Sequence, residues 1–381
     1  MLRIAQLIES DGPGGAERVV IDLATGFQAA GSQSVVFLPA DGEGWLARQL
    51  TGSGVAIEYF HLDRPVSPAC ARSLAAAFRR HRVAIAHSHE FSMAVYGALA
   101  SWLAGVQHVI TMHGSRYYAG RLQRRAALRA AVGLSGATVA VSNRLAAQMS
   151  RDLLVARSHV EMISNGVRHT PADGSSIRDE LRLGAGHRLL VSVGNLYPVK
   201  GHAHLIDALA LLADRHPNLH LAICGRGDLE GALLARARDH RLGNVHLLGL
   251  RSDVGAVLAA ADLFVLPSLS EGLPLALLEA MFTGCPIVAS DVGEVATSLG
   301  RGEAGVLVPP GDPAALAAAL DVLLSDPARA RSLGERARQR AAAEYDVSHM
   351  VRCYRCVYDR LVARATLPVA RLSPGSAGPN L

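Results

Sequence analysis

The feature that most constrains this chain is a repeated grammar in which a short β-branched or apolar run ends in a glycine-containing turn and is followed by helical spacing. Residues 2–8 form the first such run, closed by Gly12, Pro13, Gly14 and Gly15, after which residues 16–28 place Val19, Val20, Leu23 and Phe27 at helical intervals. The same run-and-helix pattern returns at residues 34–38, 84–87, 106–111 and 138–141, with a helix read over residues 93–104. Strands that alternate with helices can pair only in parallel, because each crossover returns the chain to the same edge of the sheet. The expected fold class is therefore α/β with helix-covered parallel sheets. A length of 381 residues exceeds what one hydrophobic core usually supports, so at least two such sheets are expected.

The boundary falls after Asn165-Gly166-Val167, where residues 171–176 are polar and without periodicity. A second series of runs follows at residues 189–193, 219–224, 245–248, 263–267 and 287–290. The resulting organisation is an amino-terminal Rossmann-like domain over residues 1–170 and a carboxyl-terminal one over residues 171–345. A terminal helix is expected over residues 346–365, and a disordered tail over residues 366–381, where Pro368, Pro374, Gly375, Gly378 and Pro379 crowd together.

Composition excludes several classes. Lys and Arg number 38 against 33 Asp and Glu, a net charge of +5 that is too small over this length for a nucleic-acid surface. The most apolar stretch, residues 254–289, is cut by Asp262 and Glu271, so no transmembrane segment is expected and membrane contact would be peripheral. Five scattered cysteines and a Met-Leu-Arg start without an apolar signal segment point to a reduced, cytoplasmic compartment, with peripheral placement at the inner membrane face also compatible. Cys353 and Cys356 lie in a predicted helix and read as structural thiols. His87 and His89 flank Ser88 without a third ligand, and no Asp-x-Asp occurs, so no metal site is expected. Arg121, Arg124, Arg125 and Arg129 put arginine along one helical side, read first as a solvated face and second as a membrane or anionic-acceptor surface.

Four segments carry the chemistry. Gly14-Gly15-Ala16-Glu17 sits where strand becomes helix, so free backbone N–H groups and the positive helix end face an anion or a hydroxylated ligand, although an ordinary βα turn has the same spelling. The spacing of Gly12, Gly14 and Gly15 does not match the dinucleotide fingerprint, which disfavours an NAD enzyme. His113 follows residues 106–110 at the carboxyl end of a strand, where α/β ligands bind; it serves either as a sugar-hydroxyl partner or as a helix cap. Lys200, within Val193-Gly194-Asn195-Leu196-Tyr197-Pro198-Val199-Lys200-Gly201, puts a cation beside a helix start, as a diphosphate requires, unless it is a solvated surface lysine. The most specific segment runs from Pro267 to Met281. There Glu271 lies in the loop before a helix, Pro274 fits the first helical turn, so that the amides at Leu275 and beyond are free, and Glu279 follows eight residues after Glu271.

Assembled, these residues resemble the family 4 glycosyltransferases, retaining enzymes of the GT-B fold. The resemblance covers most of the chain, from Gly14-Gly15-Ala16-Glu17 through Thr111-Met112-His113-Gly114, Ser142, Asn165-Gly166-Val167 and residues 193–201 to Ser290, and is strongest in the Glu-x7-Glu element Glu271 to Glu279. It implies two Rossmann-like domains facing across a cleft and a nucleotide-sugar co-substrate, UDP- or GDP-linked, with no cofactor and no metal. The implied acceptor is a hydroxyl of a glycan, a lipid-linked sugar or a small molecule. It further implies His113, Lys200 and Glu271 as catalytic residues. Donor contacts would come from Gly15, Asn195, Lys200, Glu271, Gly272, Leu273, Pro274, Leu275 and Glu279, with Glu279 on the ribose, and acceptor contacts from Gly14, Gly15, Glu17 and His113. Many relatives place an arginine where this chain has Asn195, so the implied pair of cations on the diphosphate is either reduced to Lys200 alone or completed by Arg226 or Arg251. They also carry a second glycine where Glu294 follows Gly293. A nucleotide-sugar epimerase of the same fold and a non-catalytic nucleotide-sugar-binding module are the alternatives.

Overall fold

The computed structural model describes residues 1–42, 44–62, 67–115, 117–169 and 171–366. Residues 367–381, most of the segment read as a disordered tail, lie outside the described residues. Among the described residues, thirteen strands form two sheets. The first contains β1 (Arg3–Leu7), β2 (Gln33–Pro39), β3 (Ala56–Phe60), β4 (Ile85–His89), β5 (Gln107–Met112), β6 (Ala137–Ala140) and β7 (Glu161–Met162), in the order β3-β2-β1-β4-β5-β6-β7. The second contains β8 (Arg188–Val193), β9 (Leu219–Cys224), β10 (Val245–Gly249), β11 (Leu263–Leu266), β12 (Ile287–Ser290) and β13 (Val306–Val308), in the order β10-β9-β8-β11-β12-β13. Every strand pair is parallel, with helices in the crossovers. Strand order reverses between β1 and β4 and between β8 and β11, and at such switch points neighbouring crossovers leave on opposite faces and open a crevice at the carboxyl ends of the strands.

Three edge strands were not expected from the pattern: β3, β7 and β13. An edge strand needs fewer buried side chains; β3 has only Phe60 fully buried among its five residues, and β7 has two residues altogether. The connecting segment also differs from expectation, since Ser175–Glu180 forms a short helix where an irregular stretch was read. Its buried Ile177 and the close approach of Gly174 to the Ala259–Ala260 backbone anchor it to the second domain.

The final helix, Val347–Thr366, packs Met350, Tyr354, Val357, Tyr358 and Leu361 with Val19, Leu23 and Phe27 of the helix Gly15–Ala29. It therefore completes the core of the first sheet although it follows the second in sequence. The chain passes between the domains beside Val167, whose backbone pairs in parallel with Asp346.

Candidate functional site

The loops after β8, β10 and β11 and the helix Leu275–Thr283 make one wall of a cleft, and the loops after β1 and β5 make the other. A cavity of about 510 Å³ between them is lined from the first domain by Gly14, Gly15, Arg18 and His113 and from the second by Asn195, Lys200, Arg251, Glu271, Gly272, Leu273, Pro274, Leu275 and Glu279. Residues up to 265 positions apart thus share one space, as the motif reading requires.

Pro274 is extended and immediately precedes the helix rather than lying in its first turn. Its fixed φ leads into that turn, where Leu275 and Ala276 have no carbonyl one turn back to receive their N–H groups, so these amides and the positive helix end face the cavity. Lys200 ends a single 3₁₀ turn, Pro198–Lys200, and its Nζ donates to Glu271 Oε1 at 2.7 Å. Ser268 Oγ donates to the same oxygen at 2.7 Å, which leaves Glu271 Oε2 without a partner among the described residues. The cation read for a diphosphate and the carboxylate read for a sugar are therefore joined in the free protein. Gly293 shapes this loop. It has φ +57, and a Cβ there would overlap the carbonyl of Glu271 and approach that of Gly272 to 2.6 Å. Gly272 is pressed in turn against the first domain, because a Cβ on it would lie 2.8 Å from the His113 carbonyl oxygen.

Glu279 lies at the other end of the cavity, where burial pushes its carboxyl up to about 7, Arg18 opposes the rise and Asp22 adds to it. Asp22 is raised to about 6 by burial, against the pull of Arg18 and Arg168. These groups continue into a smaller cavity of about 290 Å³ that also touches His169, Arg251 and Ser252. Arg18 was missed in the sequence; its only signal was its place one helical turn after Gly14 and Gly15.

The two substitute arginines are otherwise employed. Arg251 reaches the cleft wall, but its guanidinium is held by Glu180 at 2.8 Å and by Asp253 at 2.6 Å, so its charge is already neutralised. Arg226 does not line that cavity of about 510 Å³. Its carbonyl receives Leu196 N–H at 2.9 Å, and the residue faces a separate cavity of about 600 Å³ with Glu9, Gly14, Glu17, Asp41, Asn195, Tyr117 and Tyr197. Within that cavity Glu17 folds its carboxylate back over Gly14, which leaves no room there for a Cβ. Gly14 itself is extended at φ −158, so space and not a left-handed turn requires the glycine. Glu294 points away from the donor loops; its Oε1 accepts from Arg144 N at 2.8 Å, at the start of the first-domain helix Asn143–Leu153.

His113 follows β5, and its Nε2 is 3.1 Å from His89 Nδ1. Its backbone N–H donates to Glu90 Oε1 at 3.1 Å. Glu90, also missed in the sequence, begins a helix at φ +65, and burial pushes its carboxyl up to about 8. His87 and His89 are buried and bonded to protein partners: His87 to Tyr358 and Thr111, His89 to Gln6 and His113. Among the described residues no group of three or more His, Cys, Asp or Glu is placed to hold a metal. Cys353 and Cys356 are free thiols. Three of the four helix arginines turn back onto the chain: Arg124 to the Tyr117 carbonyl, Arg125 to Ala119 and Asp152, and Arg129 to Leu153. Among the described residues no helix is long and apolar enough to cross a membrane.

Two facing Rossmann-like domains, with a lysine, helix amides and carboxylates converging on the cleft, define a nucleotide-sugar-dependent glycosyltransferase of the GT-B fold. Residues 13–170 match the model described as Glycosyltransferase Family 4, and residues 174–340 match that of Glycosyl transferases group 1. The chain belongs to glycosyltransferase family 4. It is 30% identical over 302 residues to the alpha-maltose-1-phosphate synthase of Mycolicibacterium smegmatis, covering 70% of this chain and 76% of that one. It is 26% identical to the D-inositol 3-phosphate glycosyltransferase of an Arthrobacter species, over 93% of each chain. Anabaena HepE shares the fold at a TM-score of 0.83 and 24% identity, over 94% of this chain and all of that one. Transferases of this kind leave the epimerase reading without support.

Proposed function

We propose that the cleft takes a UDP-linked hexose and transfers the sugar with retention to a hydroxyl. The observation that carries this reading is the shared cavity in which the Lys200–Glu271 pair faces the amides at the start of the helix Leu275–Thr283. When the anomeric C–O bond breaks, its electron pair leaves with the diphosphate, and a fixed cation and helix amides aimed there stabilise that charge. The acceptor oxygen forms the new bond on the same face, and its proton passes to the departing phosphate oxygen. Lys200, with the Leu275 and Ala276 amides, would hold the diphosphate in place of an arginine at Asn195, and Arg18 adds a second cation from the opposite wall. Glu271 Oε2 would receive a sugar hydroxyl, Gly272 and Leu273 would bound the sugar, and Glu279 would bond the ribose. HepE has been solved with UDP and glucose and with UDP-glucose, which favours a uridine donor over the GDP alternative.

The acceptor would enter the cavity bounded by Gly14, Glu17 and Asn195, next to Gly15 and His113. Glu9, Glu17 and Asp41 on its wall suit hydroxyl donors better than a phosphate. Peripheral contact with a membrane, for a lipid-linked acceptor, would fall to the exposed Leu99, Trp102 and Leu103 rather than to the inward-turned arginines.

Thermal unfolding with UDP, GDP, ADP and their sugars tests the donor assignment. At ~100 times the dissociation constant, a ligand of the folded state adds ~2.7 kcal/mol. UDP species should give the largest shift. No shift with any of them refutes the donor site, and an inverted anomeric product, seen by NMR of the transferred sugar, refutes retention.

A further inference from the structure

A continuous chain of buried hydrogen bonds runs from the final helix to the cleft. Gln6, on β1, donates from Nε2 to the Tyr358 hydroxyl at 3.5 Å, and its Oε1 lies 2.9 Å from His89 Nε2. His89 Nδ1 lies 3.1 Å from His113 Nε2. The protons in this chain can be placed by elimination. An amide oxygen only accepts, so His89 Nε2 carries a hydrogen. Burial, with His87 and His113 as neighbours, holds His89 well below the ordinary histidine range, and burial holds His113 down at about 4. Both rings are therefore neutral near pH 7 and carry one N–H each. The single N–H of His89 is spent on Gln6, which leaves its Nδ1 a bare acceptor and requires His113 Nε2 to be the donor. His113 Nδ1 is then a lone-pair acceptor, and it is buried with no hydrogen-bond partner among the described residues. The residue lines the donor cavity, and its backbone is pinned by Glu90.

The geometry points to Gln6 and His89 as positioning residues that lock His113 in the Nε2–H tautomer, so that its Nδ1 accepts a hydroxyl of the transferred sugar and disfavours any sugar presenting a carboxylate or carbonyl there. The inference rests on the reading of this cleft as the donor site. Its specificity follows from chemistry: two acceptors facing each other repel, whereas a hydroxyl satisfies the orphaned His113 Nδ1.

The direct test is a long-range ¹H–¹⁵N spectrum of the full-length, ligand-free protein labelled at histidine, with His113 assigned by the signals lost in His113→Asn. The expected pattern is a protonated Nε2 and a bare Nδ1 at pH 7; a protonated Nδ1 or an imidazolium overturns the inference. Gln6→Leu removes the terminal acceptor, so the His113 pattern should become mixed. The ratio of dissociation constants between UDP and the UDP-hexose that binds wild type best should move towards unity by ~10-fold, the value of one hydrogen bond, while UDP itself binds within ~2-fold of wild type. His113→Asn, whose side-chain oxygen can stand near the Nδ1 position, should retain more of that ratio than His113→Ala. If Gln6→Leu does not fold, the wild-type spectrum and the His113 pair still decide. UDP binding with a His113 protonated on Nδ1 refutes the tautomer lock alone, whereas an Nε2–H His113 in a protein that binds no nucleotide refutes the donor reading on which the sugar contact rests.

Discussion

Replacing Glu271 by glutamine should tighten UDP and at the same time slow transfer. In the free protein Lys200 donates to Glu271 at 2.7 Å, with the side chains 27% and 9% exposed. A charge-assisted hydrogen bond is worth ~1.5–3 kcal/mol, and partial exposure of the lysine argues for the lower end. Part of that interaction is given up when a diphosphate takes the ammonium, and the carboxylate then stands close to a second anion. Glutamine keeps the shape and can still receive Ser268, but it removes the negative charge. UDP affinity should therefore rise by ~5–30-fold, which corresponds to ~1–2 kcal/mol. The transition state responds in the opposite sense. Positive charge develops on the sugar while Glu271 Oε2 holds its hydroxyl, and loss of one such preorganised group should lower kcat by ~10²–10³. Lys200→Ala should instead weaken UDP by ~10²-fold, because it deletes the cation and leaves the carboxylate facing the phosphates. Calorimetric titration with UDP gives the affinities, and turnover at saturating donor gives kcat. Weaker UDP binding by Glu271→Gln, or unchanged UDP binding by Lys200→Ala, would refute the exchange of partners.

Glu279→Ala should raise the donor KM by an amount worth ~1.5–3 kcal/mol while kcat falls less, since a ribose contact is the same in ground and transition states; loss of turnover at saturating donor would contradict it. Transfer should persist in EDTA, because the leaving diphosphate is assigned to Lys200 and the Leu275 helix; activity abolished by EDTA and restored by magnesium or manganese would overturn this. Gly293→Ala, at φ +57 against the Glu271 carbonyl, should lower stability by ~2 kcal/mol or more and weaken UDP, read by denaturant unfolding and titration. Stability should stay nearly level from pH 7.5 to 6 and fall steeply below about 5. His108 at about 3, His113 and His202 at about 4, and His87 and His89 well below their usual range all sit under the unfolded value of ~6.5, so each contributes stability above that pH and loses ~1.4 kcal/mol per unit of acidification until its folded value is reached. Glu90, Glu279 and Asp22, raised to about 8, 7 and 6, act in the opposite direction over the first part of that range. Urea midpoints across pH check it, and a monotonic rise in stability down to pH 4.5 would refute it.

The parts of the fold visible in the sequence were those encoded locally. Central parallel strands are buried on both faces, so β1, β5, β8, β9, β11 and β12 read as apolar runs, whereas β7 and β13, at two and three residues, are too short to show a run, and β3, at a sheet edge, buries Phe60 alone. The donor loop was legible because Glu271, Gly272, Pro274 and Glu279 each need a particular residue type at a fixed offset from one helix start. Glu90, Arg18 and the Gln6–His89 chain were not legible. Gln6 meets Tyr358 across 352 positions, and Glu90 meets His113 only because β4 and β5 are neighbours. Arg226 and Arg251 show the converse. Their position after a strand was readable, but the Glu180 and Asp253 carboxylates that hold the Arg251 guanidinium, and the cavity that Arg226 lines, were not.

The contacts between the domains decide how the cleft can work. Asn165 Nδ2 reaches the Leu273 carbonyl at 3.4 Å, Arg144 N reaches Glu294, and Gly272 meets the His113 carbonyl, so the first domain touches both the segment that follows Glu271 and the loop after β12. A domain that rotated away would release all three contacts together, whereas the packing of Gly293 on the Glu271 carbonyl lies within the second domain and would remain. The glutamate at position 294 belongs to that coupling: where relatives have glycine, this chain carries a side chain that accepts from the helix Asn143–Leu153. On the proposed donor reading, the departure at Asn195 would be met by Arg18, which the first domain brings to the same cavity. The cations proposed for the diphosphate, Lys200 and Arg18, then come from both domains, so nucleotide binding should favour the arrangement in which they face each other.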